Sequence, residues 1–166
     1  AFGSYLNLKI EEGDRVLVRA ATSGVGIAFA KLLKGQFPNV YLAGSSRSLS
    51  KEKQLKEAGF NQVILDKDGV LQTEEQFDKV LDLVGPSAIL DTFARTADGG
   101  MICSCGLLGG QWTIPDFDPI EMLYRNLYLT TFASGNVSQD KLQALVDFVE
   151  RYQIDVRPEK VFSIEQ

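Results

Sequence analysis

Positions 15–33 of the chain read RVLVRAATSGVGIAFAKLL. The first five residues predict a buried β-strand, and the apolar spacing that follows the glycines predicts a helix. A turn of small residues joins the two, which is the order of elements in a dinucleotide-binding turn. In the spacing G-x-G-x-x-G the three glycine positions hold Ala21, Ser23 and Gly26, so only the third is glycine. A small-residue turn that binds no ligand would have the same spacing.

This turn offers groups that bind phosphate. Small residues keep the helix N-terminus open, where free N–H groups and the helix dipole attract anions. Thr22 and Ser23 add hydroxyl donors. Ala21 does not easily take a positive φ, and Ser23 places a Cβ where glycine lets the backbone approach the ligand. We therefore expect the turn to differ in geometry from the glycine-rich form.

The end of the second predicted strand indicates which dinucleotide is bound. Proteins that select NAD usually carry an acidic residue about 20 residues after the glycines, which accepts from the ribose hydroxyls. This sequence has none there and reads Gly44-Ser45-Ser46-Arg47-Ser48 instead. A guanidinium can hold a 2′-phosphate through two parallel hydrogen bonds, Ser45 and Ser46 can complete the phosphate oxygens, and Lys51 lies one helical turn further on. NADPH is therefore favoured over NADH, the alternative being a solvated arginine beside a serine-rich helix cap.

Strand and helix patterns alternate along the chain. Strands are predicted at 15–19, 39–43, 61–65, 79–84, 100–104 and 127–133. Helices are predicted at 24–34, 48–58, 86–95 and 138–152, with shorter ones at 4–8, 72–76 and 119–125. The strands are continuously apolar, as parallel strands buried on both faces are. The pattern predicts an α/β fold over residues 1–166: a Rossmann-type doubly wound parallel six-stranded sheet, of order 3-2-1-4-5-6, in three α/β/α layers.

Composition excludes several classes of function. Lys and Arg number 17 and Asp and Glu number 22, for a formal charge of −5, so no nucleic-acid partner is expected. No apolar stretch approaches the roughly 20 residues of a membrane span, so no membrane association is expected. The absence of histidine excludes Ser-His-Asp triads and zinc sites built on histidine. Cys103 and Cys105 are interpreted as reduced core thiols, which suit a cytoplasmic location, with a C-x-C metal or redox pair as the alternative.

A long loop is predicted at residues 106–119, which contain several glycines and prolines and show no periodicity. It follows a predicted parallel strand and should therefore lie at the rim where open α/β sheets bind ligands. Loops of this length usually have a role. A surface excursion anchored by Trp112 and Phe117 is the alternative.

Together these segments resemble the nucleotide-binding domain of the medium-chain dehydrogenase/reductase superfamily, in its zinc-independent quinone oxidoreductase branch. The Ala20-x-x-Ser23-x-x-Gly26 turn is similar to that branch's A-x-x-G-x-x-G pattern, with serine in the middle. Further similar segments lie at 44–48, 56–60, 82–85, 99–102 and 106–110. The resemblance covers nearly the whole chain.

The resemblance implies a set of cofactor-binding residues. The pyrophosphate would contact Thr22, Ser23, Gly24, Val25 and Gly26, and the 2′-phosphate segment would be Gly44, Ser45, Ser46 and Arg47. The adenine end would contact Asp66, Leu83 and Val84, the nicotinamide ribose Cys105, Gly106 and Leu107, and the nicotinamide the segment from Phe132 to Ser134. No catalytic residue and no metal ligand is assigned.

The resemblance also implies a reaction, the transfer of a hydride from NADPH to a quinone or an α,β-unsaturated carbonyl. The superfamily has a GroES-like substrate domain, which is expected to lie outside these residues, so the isolated domain is expected to be inactive. Two other functions stay open: a non-enzymatic NADPH-sensing module and an S-adenosylmethionine-dependent methyltransferase. Arg47 argues against the methyltransferase, which usually needs an acidic residue at that position.

A homodimer is predicted through the strand at 127–133. This segment is rich in β-forming residues and occupies the sheet edge in the predicted strand order. It lacks the charges and proline that protect exposed edges, and pairing with a second copy would satisfy its free backbone groups. Coverage by the helix at 138–152 or by a further domain is the alternative.

Overall fold

The computed structural model describes residues 1–135, 137–158 and 161–164. Its seven strands are β1 (Arg15–Arg19), β2 (Tyr41–Ser46), β3 (Gln62–Lys67), β4 (Val70–Leu71), β5 (Phe77–Asp82), β6 (Thr96–Ser104) and β7 (Tyr128–Thr130). Its α-helices are α1 (Phe2–Leu8), α2 (Gly24–Gln36), α3 (Glu52–Glu57), α4 (Ile89–Ala94), α5 (Pro119–Met122) and α6 (Gln139–Arg151). A 3-10 turn at Leu49–Lys51 precedes α3.

The strands form one sheet in the order β4-β3-β2-β1-β5-β6-β7. Without β4, this is the predicted order 3-2-1-4-5-6, and every one of these six strands is parallel to its neighbours. The Rossmann-type fold is confirmed. The number of strands differs, because the sheet has seven rather than six.

The additional strand is a short antiparallel addition to one edge. Asp68 and Gly69 have φ angles of 53° and 83°, which reverse the chain directly after β3. Val70 and Leu71 then pair with Lys67 and Asp66. Positive φ at two successive residues is the geometry of a tight hairpin turn, for which Asp-Gly is a favoured sequence.

The prediction of a short helix at residues 72–76 is wrong. Glu75 forms an ion pair with Arg15 of β1 and accepts from Gln62 of β3, and its own amide donates to Thr73 Oγ1 at 3.2 Å. These contacts hold the segment, without helical structure, against the ends of two strands. Tertiary contacts therefore replace the local helix.

Two apolar layers enclose the sheet. One core cluster joins α1, α2, α3 and one face of the sheet, with Leu145 and Phe148 of α6 packed against it. The other cluster joins the opposite face to α4, with Met122 of α5 packed against it. The expected three-layer arrangement follows from these two clusters.

Several helices and strands are shorter than expected. The helix expected at 48–58 begins with the 3-10 turn, and that expected at 86–95 begins only at Ile89. The strand expected at 127–133 is limited to the three residues of β7, which lies at the predicted sheet edge. Among the described helices, none has the length and apolar character needed to cross a membrane.

Close contact between α2 and the turn before it predicts a stability difference between two glycines of one helix. A Cβ at Gly26 would lie 2.6 Å from the carbonyl oxygen of Ala21, whereas a Cβ at Gly24 would have no atom within 4 Å. We expect Gly26→Ala to destabilise the protein by about 1–3 kcal/mol through overpacking. Gly24→Ala should be neutral or stabilise by up to about 1 kcal/mol. Urea unfolding measures both, and equal effects of the two substitutions would contradict this packing.

Candidate functional site

The carboxyl ends of the central strands surround a cleft of about 460 Å³. This is the position at which open α/β sheets bind ligands, next to the switch point between β1 and β5. The cleft is lined by Ala20, Thr22, Ser23, Ser45, Ser46, Arg47, Asp66, Asp68, Gly69, Val84, Ser87, Leu108 and Gly109. Seven of the residues expected around phosphate and adenine thus line one cleft, together with six other residues.

The turn after β1 has its unusual backbone angle one residue earlier than the G-x-G-x-x-G spacing requires. Ala20 has φ of 57°, whereas Ala21 has a negative φ. The amide of Ala20 donates to Ser45 Oγ at 3.1 Å, and that of Ala21 donates to the Ser45 carbonyl at 3.0 Å. The turn therefore differs from the glycine-rich form as expected: Ala20 has a left-handed backbone conformation, and its amide is hydrogen-bonded to Ser45 of β2.

Ser23 begins the helix that follows this turn. Its hydroxyl accepts from the Gly26 amide at 3.1 Å, as an N-cap residue does. In the described part of the chain, the amides of Gly24 and Val25 have no acceptor, and both residues are exposed. The N-terminus of α2 therefore has two free N–H donors beside the cleft, although Gly24, Val25 and Gly26 do not themselves line it.

The end of β2 supplies one free cation and two hydroxyls that already have partners. Ser45 is fully buried and accepts from the turn, and Ser46 Oγ donates to the Ser48 carbonyl at 2.8 Å. Arg47 is exposed, lines the cleft and forms no hydrogen bond or ion pair within the described residues. Gly44 lies below the cleft, where a Cβ would be 2.7 Å from Phe60. Arg47 is thus the group best placed to bind an anion.

Asp66 lines the cleft, but its carboxylate is bound by other protein groups. Oδ2 accepts from Arg19 Nη2 at 2.8 Å, and Oδ1 accepts from the Gly69 amide at 3.0 Å. The side chain of Arg19 is fully buried, although it occupies the last position of β1. The sequence shows Arg19 only as a residue before the turn, and this ion pair was not predicted.

The segment after β5 forms the opposite wall. Asp82 Oδ1 accepts from the amides of Val84 and Gly85 at 2.8 and 2.9 Å. Burial raises the pKa of the Asp82 carboxyl, and the Gly85 amide and Arg19 oppose that change. Val84 lines the cleft, whereas the side chain of Leu83 lies in the core.

The first part of the loop at 106–119 is fastened to this wall. The Gly109 amide donates to the Val84 carbonyl at 2.9 Å, and the Leu108 amide donates to the Leu83 carbonyl at 3.3 Å. A Cβ at Gly106 would lie 2.0 Å from the Leu83 carbonyl oxygen, so only glycine allows this approach. The loop is therefore at the expected rim, where Leu108 and Gly109 contribute to the cleft.

The residues expected around the nicotinamide do not line this cleft. Cys105 and Phe132 both contact α1: Cys105 Sγ is 3.4 Å from Ser4 Oγ, and the Phe132 ring covers Gly3. Gly106 and Leu107 follow Cys105 on the loop, and Ser134 is exposed. Cys105 and Phe132 therefore lie against α1, outside the cleft lining.

The two thiols differ in their surroundings. Cys103 is fully buried and Cys105 is partly exposed, and both are free. Hydrogen bonding between them lowers the pKa of the Cys105 thiol and raises that of the Cys103 thiol. Within the described ranges, no three His, Cys, Asp or Glu side chains are grouped as a metal site requires.

Six lining residues were not predicted. These are Ala20, Asp68, Gly69, Ser87, Leu108 and Gly109. The Asp-Gly pair at 68–69 is a known hairpin signal and could have located the turn in the sequence. Leu108 and Gly109 lie in the loop expected at the ligand-binding rim, and Ala20 lies in the small-residue turn, although none of them was assigned to the cofactor. Ser87 has no distinctive sequence pattern.

Comparison with known proteins gives the family. The zinc-binding dehydrogenase family matches residues 24–151. A curated relative, the Mycobacterium marinum phenolphthiocerol synthesis polyketide synthase type I Pks15/1, is 27% identical over 150 residues, covering 87% of this chain and 7% of that protein.

Solved structures share the fold. The quinone oxidoreductase from Coxiella burnetii has a TM-score of 0.73 and 21% identity, covering 97% of this chain and 49% of that one. Bacillus subtilis YhfP with NAD bound has a TM-score of 0.74 and 21% identity, with coverages of 91% and 48%. A mycobacterial protein complexed with NADPH has a TM-score of 0.75 and 20% identity, with coverages of 94% and 53%.

The chain spans about half the length of these structures and a small part of the curated relative. The family match begins at Gly24, the first residue of α2, and continues through α6, so it includes the second strand, the hairpin and the loop that form most of the cleft. The chain belongs to the zinc-binding dehydrogenase family, in the medium-chain dehydrogenase/reductase superfamily.

Proposed function

We propose that this chain binds NADPH in the cleft described above, as the cofactor-binding part of an oxidoreductase. The observation that carries the proposal is Arg47, a cation with no protein partner among the described residues, at the end of β2. An acidic residue at that place would accept from ribose hydroxyls, whereas a guanidinium suits a 2′-phosphate. The free amides of Gly24 and Val25 lie where a pyrophosphate would be held.

The structural relatives give this cofactor further support. One is a mycobacterial protein complexed with NADPH, and another is an oxidoreductase from Salmonella enterica in complex with NADP. The Bacillus subtilis relative contains NAD instead, so the shared fold accommodates both dinucleotides. The choice between them must therefore come from local residues, of which Arg47 is the clearest.

For the reaction we propose hydride transfer to a quinone or an α,β-unsaturated carbonyl. The bound cofactor supplies the hydride, and the protein orients it. By resemblance to the family, the nicotinamide end would lie near Cys105 and Phe132, which α1 holds. The described residues do not provide a zinc ligand set. The quinone oxidoreductase from Coxiella burnetii supports the substrate class, and the family match favours this reaction over methyl transfer.

The proposed location is the cytoplasm. Both cysteines are free, as is usual for proteins of a reducing compartment.

We expect NADPH to bind more tightly than NADH, and Arg47→Ala to remove most of this difference. A charge-assisted contact to phosphate contributes on the order of 1.5–3 kcal/mol, or roughly ten- to a hundredfold in affinity. Calorimetric titration with both dinucleotides measures the effect. Arg157→Ala is the matched control, because Arg157 is exposed and pairs with Asp155 at 2.8 Å, away from the cleft lining. Equal affinities of the unmodified protein for NADPH and NADH would contradict the proposal.

We expect the 166-residue chain to bind NADPH without oxidising it. Hydride transfer needs a second site that holds the acceptor against the nicotinamide, and binding one reactant does not supply that site. Nicotinamide absorbance, followed with a naphthoquinone and with an α,β-unsaturated ketone, measures the turnover. A rate clearly above that of the protein-free mixture would show that these residues suffice for catalysis.

We also propose a homodimer formed through β7. This strand ends the sheet, and Tyr128 on it is largely exposed. Helix α6 packs on the first core cluster through Leu145 and Phe148. We expect light scattering to give twice the chain mass of 18.3 kDa at high micromolar concentration. For Thr130→Pro we expect the mass of a monomer by light scattering, with circular dichroism showing that the variant is folded. A monomeric mass for the unmodified protein would contradict pairing.

A further inference from the structure

Arg19 lies directly below the proposed cofactor cleft and is the largest of the fully buried side chains. Its Nη1 donates to the Ala88 carbonyl at 3.0 Å, to Asp91 Oδ2 at 3.0 Å and to Thr92 Oγ1 at 2.9 Å. Its Nη2 donates to Asp66 Oδ2 at 2.8 Å and to the Gly69 carbonyl at 2.9 Å. One guanidinium thus contacts five groups on two segments that are distant in sequence.

The two segments form opposite parts of the cleft wall. Asp66 and Gly69 belong to the β3–β4 hairpin and line the cleft themselves. Ala88 precedes α4 and directly follows Ser87, which lines the cleft from the other side. Arg19 therefore fixes the separation of hairpin and helix, and with it the width of this end of the cleft.

The ion pair also changes the charge that the cleft presents. Its lining contains one cation, Arg47, and two carboxylates, Asp66 and Asp68. Asp66 is only 7% exposed, so water does little to screen its charge. A dinucleotide with a pyrophosphate and a 2′-phosphate would be repelled by an unpaired carboxylate in this position. The guanidinium of Arg19 removes that repulsion from below without occupying the cleft.

We propose that Arg19 is a positioning residue for the dinucleotide, which neutralises Asp66 and holds the hairpin and α4 at the separation that the cofactor requires. Asp66 is then the partner of Arg19 rather than a direct ligand of the adenosine. This inference rests on the proposed function, because it assumes that the cleft binds NADPH.

The test compares NADPH affinity among four variants by calorimetry, with the fraction of binding-competent protein taken from the stoichiometry. Arg19→Met removes the charge at similar length, and we expect it to weaken binding by at least about tenfold, as truncation of one member of a buried charge pair does. The double variant Arg19→Met/Asp66→Asn removes both charges and should regain most of that loss. Arg95→Met is the matched control, because Arg95 also pairs with Asp91, at 3.7 Å. Its other ion pair is with Glu74, which does not line the cleft, whereas Arg19 pairs with the lining residue Asp66. The control variant should lower the melting temperature and leave the affinity unchanged.

The fourth variant, Asp66→Asn alone, keeps the test decisive if Arg19→Met does not fold. Its side-chain oxygen still accepts from Arg19, but its amide nitrogen replaces the oxygen that accepts from the Gly69 amide. Because no unpaired carboxylate is left, we expect a loss of affinity smaller than that of Arg19→Met. A loss of tenfold or more in this variant would show that Asp66 binds the cofactor directly and would overturn the inference. An unchanged affinity per competent site in Arg19→Met would also overturn it and would leave only a role in stability. If the unmodified protein binds no NADPH, the proposed function fails and the inference fails with it.

Discussion

Burial of one positive charge at the end of the central strand determines how the cleft is assembled. A guanidinium inside a protein is costly unless its donors are matched by acceptors, and preferably by carboxylates. The two terminal nitrogens of Arg19 obtain these from Asp66 and Asp91, from Thr92 and from two backbone carbonyls. Its Nε is buried without a partner among the described residues. Thr92 in turn donates to Asp82 Oδ2 at 3.1 Å, and the other oxygen of Asp82 accepts from two amides after β5. The ends of β1, β3 and β5 and the start of α4 are thereby joined in one network.

The polar groups around the cleft fall into two sets: groups that are bound to other parts of the protein, and groups that are free. Ser45 is bound to the turn, Ser46 to its own strand end, and Asp66 to Arg19. These residues shape the walls, because their polar atoms already have partners. Arg47, the hydroxyls of Thr22 and Ser87 and the first amides of α2 are unpartnered in the described residues, and a ligand can engage these groups. The division explains why so many polar side chains surround a cleft in which only a few are available for binding.

The sequence was sufficient to predict the fold because its signals are local. The continuous apolar strands and the small-residue turn each depend on a few neighbouring residues. The position of Arg47 in the cleft was also predictable, since the end of β2 faces the turn in this fold. What could not be predicted depends on contacts between distant residues. The burial of Arg19 depends on Asp66 and Asp91, which lie 47 and 72 positions further along the chain.

The partners of the Ser45 and Ser46 hydroxyls, and those of the segment at 72–76, could not be predicted for the same reason. Ser45 and Ser46 have the right chemistry to bind phosphate, but their sequence does not show that the backbone already uses their oxygen atoms. The helix expected at 72–76 had an acceptable local composition, and its replacement by a non-helical segment depends on Arg15 and Gln62. Asp68-Gly69 is the exception, because its turn signal is local and was available in the sequence.

Solvent access explains why the cleft can carry one unpaired carboxylate but not two. Asp68 is exposed at the tip of the hairpin and forms no ion pair among the described residues. Its interaction with a bound phosphate is therefore weakened by water and by dissolved ions. Asp66, two residues earlier, is buried in the cleft wall, where the same charge would act through a medium of much lower dielectric constant. A buried counter-charge is thus required at one carboxylate and not at the other, and Arg19 lies at the position where it is required.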